Sequence, residues 1–565
     1  MFSDPVVGDD FYGRKDVIDL LYKRVVALKS GYRQNIAIIG HQQVGKTSIL
    51  RHFLHTYNDP QVLSIYVEIR FQALDYFVDQ FIRALLYRFL VQKGVEAEAT
   101  ASLDALMRSA SPYLPKTLSR IGEISALLRQ RQPEEAYSRL FGLTSVVREE
   151  TGMSCVVILD EFHRLGEFGV RNAFSDFGKR IMVQKDTMYL LASSSYSASR
   201  KILAEKLALL FGNFERIYLG HFDFETSDRF VSAKLAPLQC DEGLRNYIVA
   251  FTDGHPFFLE TIVSRLKEVV LSRGETAVSA AAVAEALRRL LFESQGVLHQ
   301  YFQKMISPWM RPAAHGSHIL ILIALSKGRN KVRDIAREVR RGQREVVAAL
   351  RELMEHELIE KSGVFYRFHN KIFRFWLKEV CERKELSLLG LPGQSEDFLV
   401  RVTAQIGEHL ELLAMDPAER VYGLLGDFRN DMIELGEKRR KLPHFTEIVR
   451  PKRESSVLRG GTAPIVAKGH GRCWVCSVVR GRASEREVLD LVEGSPAGRS
   501  AASATRVLVT LDGMDENAKL LAKEKKVLTL GLSHLNLLLD LYGRSPIVRI
   551  GAERPDSVGT ERVGS

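Results

Sequence analysis

Residues 36–50 read IAIIGHQQVGKTSIL. An apolar strand runs into Gly40-x4-Gly45-Lys46-Thr47, and a helix starts directly behind it. A phosphate-binding loop needs this order. Its glycines let successive backbone N–H groups turn inward around phosphate oxygens, at a helix N-terminus whose dipole favours an anion. Gly40, His41, Gln42, Gln43, Val44, Gly45, Lys46, Thr47 and Ser48 are therefore the expected cradle for ATP. Lys46 is placed to reach the β- and γ-phosphates, and the Thr47 hydroxyl to hold Mg²⁺.

Downstream, VLSIYVEI (62–69) is a continuous apolar run of the kind a parallel strand covered on both faces shows. Helical periodicity follows from about 73 to 150, interrupted at Ser111-Pro112 and Pro115. Cys155-Val-Val-Ile-Leu then ends in Asp160-Glu161. At the C-terminal end of a central strand, where open α/β sheets bind ligands, Asp160 is expected to hold Mg²⁺ and Glu161 to act as general base on water. Another buried run, Met188-Tyr-Leu-Leu-Ala, ends in Ser193-Ser194-Ser195. Ser194 is the candidate hydroxyl there for the γ-phosphate or the lytic water. With a last strand at 215–219, the alternation gives an α/β fold built on a doubly wound parallel sheet.

The 565-residue chain is 45% apolar and 26% charged, an ordinary globular composition long enough for several domains. Five scattered cysteines fit reduced thiols in a cytoplasm, and Cys473-Trp-Val-Cys476 reads as neighbouring strand cysteines, with no second pair to complete a metal site. The acidic, polar N-terminus does not read as a signal peptide, and the longest apolar run, ILILIAL at 319–325, is far too short to span a bilayer. The net charge of +11 points to a polyanionic partner where it is concentrated.

It is concentrated at 327–344. Lys327, Arg329, Lys331, Arg333, Arg337, Arg340, Arg341 and Arg344 face only Asp334 and Glu338, so eight minus two gives +6 in eighteen residues. Ile335-Ala-Arg-Glu-Val339, a break at Gly342, and Val346 to Leu353 set apolar residues on one helical face; a strand pair with a turn at Ser362-Gly363 follows. This is the pattern of a winged helix. Lys331, Arg333, Arg340, Arg341 and Arg344 are its expected contacts to double-stranded DNA.

Phe11-Tyr12-Gly13-Arg14 and Phe251-Thr-Asp-Gly254-His255-Pro256 resemble the "F-x-G-R" and lid "G-h-P" motifs of archaeal-type ATPases in the AAA+/STAND superfamily. The resemblance covers about residues 10–380. It implies a helical lid, a homo-oligomer, Arg14 near the base or a subunit boundary, and Pro256 packed by the adenine. Relatives carry an arginine in an "L-Y-G-R" segment. Here the stretch is Leu210-Phe-Gly-Asn213-Phe-Glu-Arg216, which leaves Arg216 and Arg200 as alternative arginine fingers. Asn370-Lys371 stands where the family's closing segment has Asp-Pro.

Beyond a linker at 391–396, residues 396–450 read as helices, and a β-β-α-β-α-β order follows. That order resembles the restriction-endonuclease-like domain of the same ATPases. Its metal cage needs Asp and Glu-x-Lys, where this chain has Pro464-Ile465 and Ser477-Val-Val479, so no cleavage is expected. The expected division is a P-loop core at 1–235, a lid at 236–312, a winged helix at 313–390, an inactive nuclease-like domain at 396–550 and a disordered tail at 551–565. Together these imply an ATPase that couples nucleotide state to DNA binding. The alternative is a signalling or defence switch with ATP-driven oligomerisation as its output and a purely structural winged helix.

Overall fold

Side chains alternate across a strand, so Ile36 and Ile38 face one way while Ala37 and Ile39 face the other. In the computed structural model both sets are buried, because the sheet that contains them is covered by helices on both faces. The structure describes residues 4–70, 73–207, 214–310, 317–383, 394–436, 438–449, 464–469, 471–493 and 504–547. The expected tail at 551–565, the Leu210–Asn213 stretch and residues 391–393 of the expected linker lie outside them, while 394–396 already belong to the helix Gln394–Ala414. The chain divides into two compact units, residues 1–226 with 255–257, and residues 227–254 with 258–565.

The first unit holds strands β1 (Asn35–Ile39), β2 (Val62–Glu68), β3 (Ser154–Asp160), β4 (Thr187–Ser193) and β5 (Phe214–Tyr218). They form one parallel sheet in the order β2-β3-β4-β1-β5. The order inserts β4 between the loop-bearing β1 and β3, whose last residue is Asp160. All three strands deliver their C-terminal ends to the same edge of the sheet. The prolines that interrupt the helical pattern begin or precede helices, as their missing N–H allows: Leu103–Ala110, then Pro115–Arg129, then Pro133–Thr151.

In the second unit, helices Ser317–Ser326, Val332–Val339 and Gln343–Glu355 are followed by an antiparallel hairpin of β6 (Ile359–Ser362) and β7 (Phe365–Phe368). Residues 396–450 are only partly helical. Helices Gln394–Ala414 and Pro417–Asp427 lead into a second hairpin, β8 (Met432–Leu435) with β9 (Lys438–Lys441), and into β10 (Glu447–Val449). A mixed sheet then runs β10-β11-β12-β13-β14, with β11 at Ile465–Gly469, β12 at Arg472–Val479, β13 at Thr505–Thr510 and β14 at Leu528–Gly531. The first three strands are antiparallel and the last three parallel.

Cys473 and Cys476 both lie on β12. Their odd spacing sends them to opposite faces, Cys473 into the cluster with Val475 and Leu508, Cys476 into the one with Trp474 and Val507. They therefore cannot ligate one ion together. Among the described residues no group of three or more His, Cys, Asp or Glu could hold a metal, and no helix is long and apolar enough to cross a membrane.

Candidate nucleotide site

β1 ends at Ile39, and the helix Lys46–Thr56 starts with Gly45 as its cap. The two motif glycines are required for different reasons. Gly45 has φ +100°, a backbone that L side chains rarely adopt, and the space around it is open. At Gly40 the limit is room, because a Cβ would stand 2.5 Å from Leu219 O. Gly40 N–H donates to Ser193 O at 3.3 Å, and Leu219 N–H to Ile39 O at 2.7 Å. Neighbouring strands thus pin the root of the loop.

Lys46 is 4% exposed, and its ammonium donates to Gly40 O at 2.8 Å and His41 O at 2.7 Å. The charge lies curled within the loop that a phosphate would enter. His41 stacks toward Tyr196 with ring centres 6.4 Å apart, Gln42 is exposed, Gln43 sits at φ +60° and Val44 is buried. Ser48 Oγ accepts from Val6 N–H at 3.2 Å. Thr47 Oγ1 donates to Asp160 Oδ2 at 2.7 Å, which brings the loop and the β3 carboxylate together across 113 residues.

Asp160 is 1% exposed. Its carboxylate also accepts from Tyr66 at 3.1 Å and from Glu161 N–H at 3.0 Å. Burial pushes its carboxyl above the usual range, while the Thr47 hydroxyl and the Lys46 charge pull the other way. A cation beside Asp160 would complete that compensation. Glu161 follows at φ +57°, a left-handed backbone in a non-glycine residue. Its Oε2 accepts from Ser194 N–H at 2.9 Å and Ser194 Oγ at 2.8 Å, and lies 3.4 Å from His163 Nδ1. His163 Nδ1 in turn is 2.9 Å from the buried Ser193 Oγ.

Ser194 therefore stands beside the expected base, with its hydroxyl directed at Glu161. Tyr66, Ser193 and His163 complete the polar shell. No sequence pattern marks Tyr66 or His163, since each is defined by a partner remote in sequence, Asp160 for Tyr66 and Ser193 for His163.

Arg14 has φ +60° at the start of the helix Lys15–Lys29. Its guanidinium donates to Gly220 O and lies 4.8 Å from the Phe222 ring centre, and burial holds its pKa below the usual value. The rings of His221 and His255 are 4.9 Å apart, next to Pro256, which begins the helix Pro256–Ser272. The two outlying motifs thus converge on segment 220–222. Arg216 is exposed on the edge strand β5, opposite Ala37 in mid-strand, and Arg200 is exposed on the helix after β4.

The basic stretch is less free than its sequence implies. Lys331 Nζ lies 2.8 Å from Asp431 Oδ1 and 4.9 Å from the Phe365 ring centre. Its ammonium is thus engaged by a buried carboxylate. Lys327 pairs with Glu382, Arg329 with Glu338 at 3.5 Å and Arg341 with Glu345 at 3.7 Å. Arg333, Arg340 and Arg344 are exposed and have no ion pair among the described residues.

The five-stranded parallel sheet with its glycine loop and strand-end carboxylates resembles the core of a P-loop domain. Residues 10–177 match the family model described as the AAA ATPase domain. No curated protein matches the chain. Among solved structures, the Walker-type ATPase PABY2304 of Pyrococcus abyssi is similar at 16% identity and TM-score 0.46, over 67% of this chain and 99% of that one. The Aeropyrum pernix ORC2 protein, in ADPNP–ADP complexes, matches at 13% identity and TM-score 0.41, over 68% and 98% respectively. The Thermotoga maritima RuvB Holliday junction branch migration motor matches at 14% and 0.32, over 67% and 100%.

Proposed function

We infer that this chain is an AAA+/STAND-type ATPase that couples its nucleotide state to duplex DNA. The observation that carries the reading is the convergence of Lys46, Thr47, Asp160 and Glu161 at one sheet edge, joined by the 2.7 Å bond from Thr47 to Asp160. Thr47 and Asp160 offer hard oxygen donors that fit Mg²⁺. When bound, that ion supplies neutralisation of the charge that develops on the transferred phosphoryl group. Lys46 holds the β- and γ-phosphates by exchanging two loop carbonyls for phosphate oxygens. Glu161 orients the attacking water and takes its proton, sharing or surrendering its bonds to Ser194 as it does so. Arg14 and Pro256 bound the adenine side, and Arg216 or Arg200 serves a neighbouring copy in a homo-oligomer.

The three helices and the β6–β7 hairpin support a winged helix at 313–390. Its exposed Arg333, Arg340, Arg341 and Arg344 contact the duplex backbone. The β10–β14 sheet, with no metal-binding residues at Ile465 or Ser477–Val479, supports a non-cleaving nuclease-like domain. One observation favours the alternative of an oligomerising switch with a structural winged helix. The β6–β7 hairpin is packed against its own chain: Phe365 lies in the core with Phe428 and Leu539, and Val364 N–H donates to Met432 O at 3.0 Å.

ATP turnover with and without duplex DNA tests both halves. Turnover that duplex changes and Lys46→Ala abolishes is the expected result. Lys46→Ala at wild-type turnover overturns the site; turnover indifferent to DNA, with ATP-dependent oligomers, favours the alternative.

A further inference from the structure

We propose that the β8–β9 hairpin is a nucleic-acid backbone contact, with Lys438, Arg439, Arg440 and Lys441 of β9 gripping phosphates beside the winged helix. The assignment rests on the duplex-binding reading above and adds a site to it. Four consecutive cations occupy one strand, and Lys438, Arg439 and Lys441 are exposed. Among the described residues, the one ion pair they make is Arg439 Nε to Glu434 Oε1 at 3.1 Å, by a side chain that remains 78% exposed.

Beyond the cross-strand pair of Arg439 with Glu434, nothing in the folding of the hairpin asks for these charges. It is anchored by Ile433 and Leu435 on β8, both in the apolar core of the second unit, whereas like charges two apart on a strand repel. A charge or two suffices to blunt an exposed strand edge; four in succession exceed that need. Alternate residues of a strand lie about 6.6 Å apart on one face, close to two axial phosphate steps of about 3.4 Å along one nucleic-acid strand. Arg439 with Lys441, on the face opposite to Ile433 and Leu435, can track a backbone in this way, with the exposed Lys438 at the start of the strand.

The hairpin is also fixed to the β6–β7 wing. Val364 N–H donates to Met432 O at 3.0 Å, and Ser362 Oγ to Glu434 O at 3.3 Å. Gly363 seals the junction: a Cβ there would stand 2.0 Å from Met432 O. Lys331, two residues before the exposed Arg333, binds Asp431, the residue just before β8. The wing is therefore covered, and β9 takes the outer position that a wing would otherwise offer to a duplex. The seat of this hairpin against β6–β7, on the same module as the exposed Arg333, Arg340 and Arg344, favours a nucleic-acid backbone over an acidic polypeptide.

The test compares three full-length proteins: wild type, Lys438→Glu/Arg439→Glu/Lys441→Glu, and Arg340→Glu/Arg344→Glu. Each binds a fluorescent duplex of arbitrary sequence over a KCl series, with thermal melts and nucleotide binding as folding controls. The expected result is that the β9 variant loses at least tenfold in affinity, and its log K against log [salt] slope flattens by about 1 for each phosphate it no longer neutralises. A β9 variant that binds like wild type while the arginine variant fails overturns this inference and leaves the duplex reading standing. The reverse pattern keeps β9 and removes the winged helix. A wild type that ignores duplex overturns both. Loss of binding to poly-glutamate alone reassigns β9 to an acidic polypeptide, and aggregation with an unchanged salt slope reassigns it to edge protection.

Discussion

At the phosphate loop, residues remote in sequence meet because each one ends a strand of the same parallel sheet. At the β6–β9 surface, residues equally remote meet because one hairpin happens to dock on another. Thr47 finds Asp160 over 113 residues, and Lys331 finds Asp431 over 100. The first meeting follows a general rule, since ligands of open α/β sheets gather at the C-terminal strand ends. The second follows no rule visible in the chain, and it decides which lysines and arginines are still available. Motifs at strand ends can therefore be read as a site, whereas a run of charge cannot be read as a surface until its partners are known.

The comparison breaks most sharply at Glu161. Glu161→Gln keeps shape and hydrogen bonding but removes the base, so phosphate release should fall by about 10²–10⁴-fold. Nucleotide affinity, measured by titration, should stay within a few-fold. Unchanged turnover would show that the strand-end rule had assembled a binding site without a base.

At the other region, Gly363→Val sets a branched residue at φ +63° against Met432 O. A loss of about 2–4 kcal/mol in the second unit is expected from strain and overpacking, read from urea midpoints, with nucleotide affinity unaffected. An unchanged midpoint would mean that the β6–β7 hairpin does not depend on β8.

A smaller effect is expected at His409, which packs edge-on to Tyr247 with ring centres 5.5 Å apart. Burial first, then the nearby Arg420, hold its imidazole down to about 4. Because the folded value lies below the unfolded one, its contribution is present above about pH 6.5 and is lost as pH falls toward 4. Urea midpoints should drop by the equivalent of about 1–3 kcal/mol over that window, and His409→Phe should flatten the drop. The smallest change is Ser194→Ala, which removes one of two bonds to Glu161 and leaves the N–H. Turnover should move by only a few-fold, about 1 kcal/mol. A loss as large as that of Glu161→Gln would give Ser194 a direct part in the chemistry.

The phosphate loop, strands β1 to β4 and the Asp160-Glu161 pair are legible because strand, turn and helix signals are local and agree with one another. The partner of Ser194 is not legible, since position alone does not say whether a strand-end hydroxyl faces ligand or carboxylate. The β8–β9 hairpin is hidden for a different reason. Its apolar content amounts to Met432, Ile433 and Leu435 on one strand, while β9 carries no apolar residue and alternation gives no signal. The basic stretch from 327 to 344 reads as one surface, yet carboxylates at 345, 382 and 431, all outside that stretch, take three of its cations.

The placement of the two β12 cysteines has a practical consequence. Burial raises the Cys476 thiol and, more mildly, the Cys473 thiol, so neither alkylates readily while its face of the sheet stays shut. Trypsin cutting at Arg472 and Arg480 releases both on one eight-residue peptide. Pulse alkylation followed by fragmentation of that peptide therefore times the breathing of the two faces separately, from a single digest and without a single substitution.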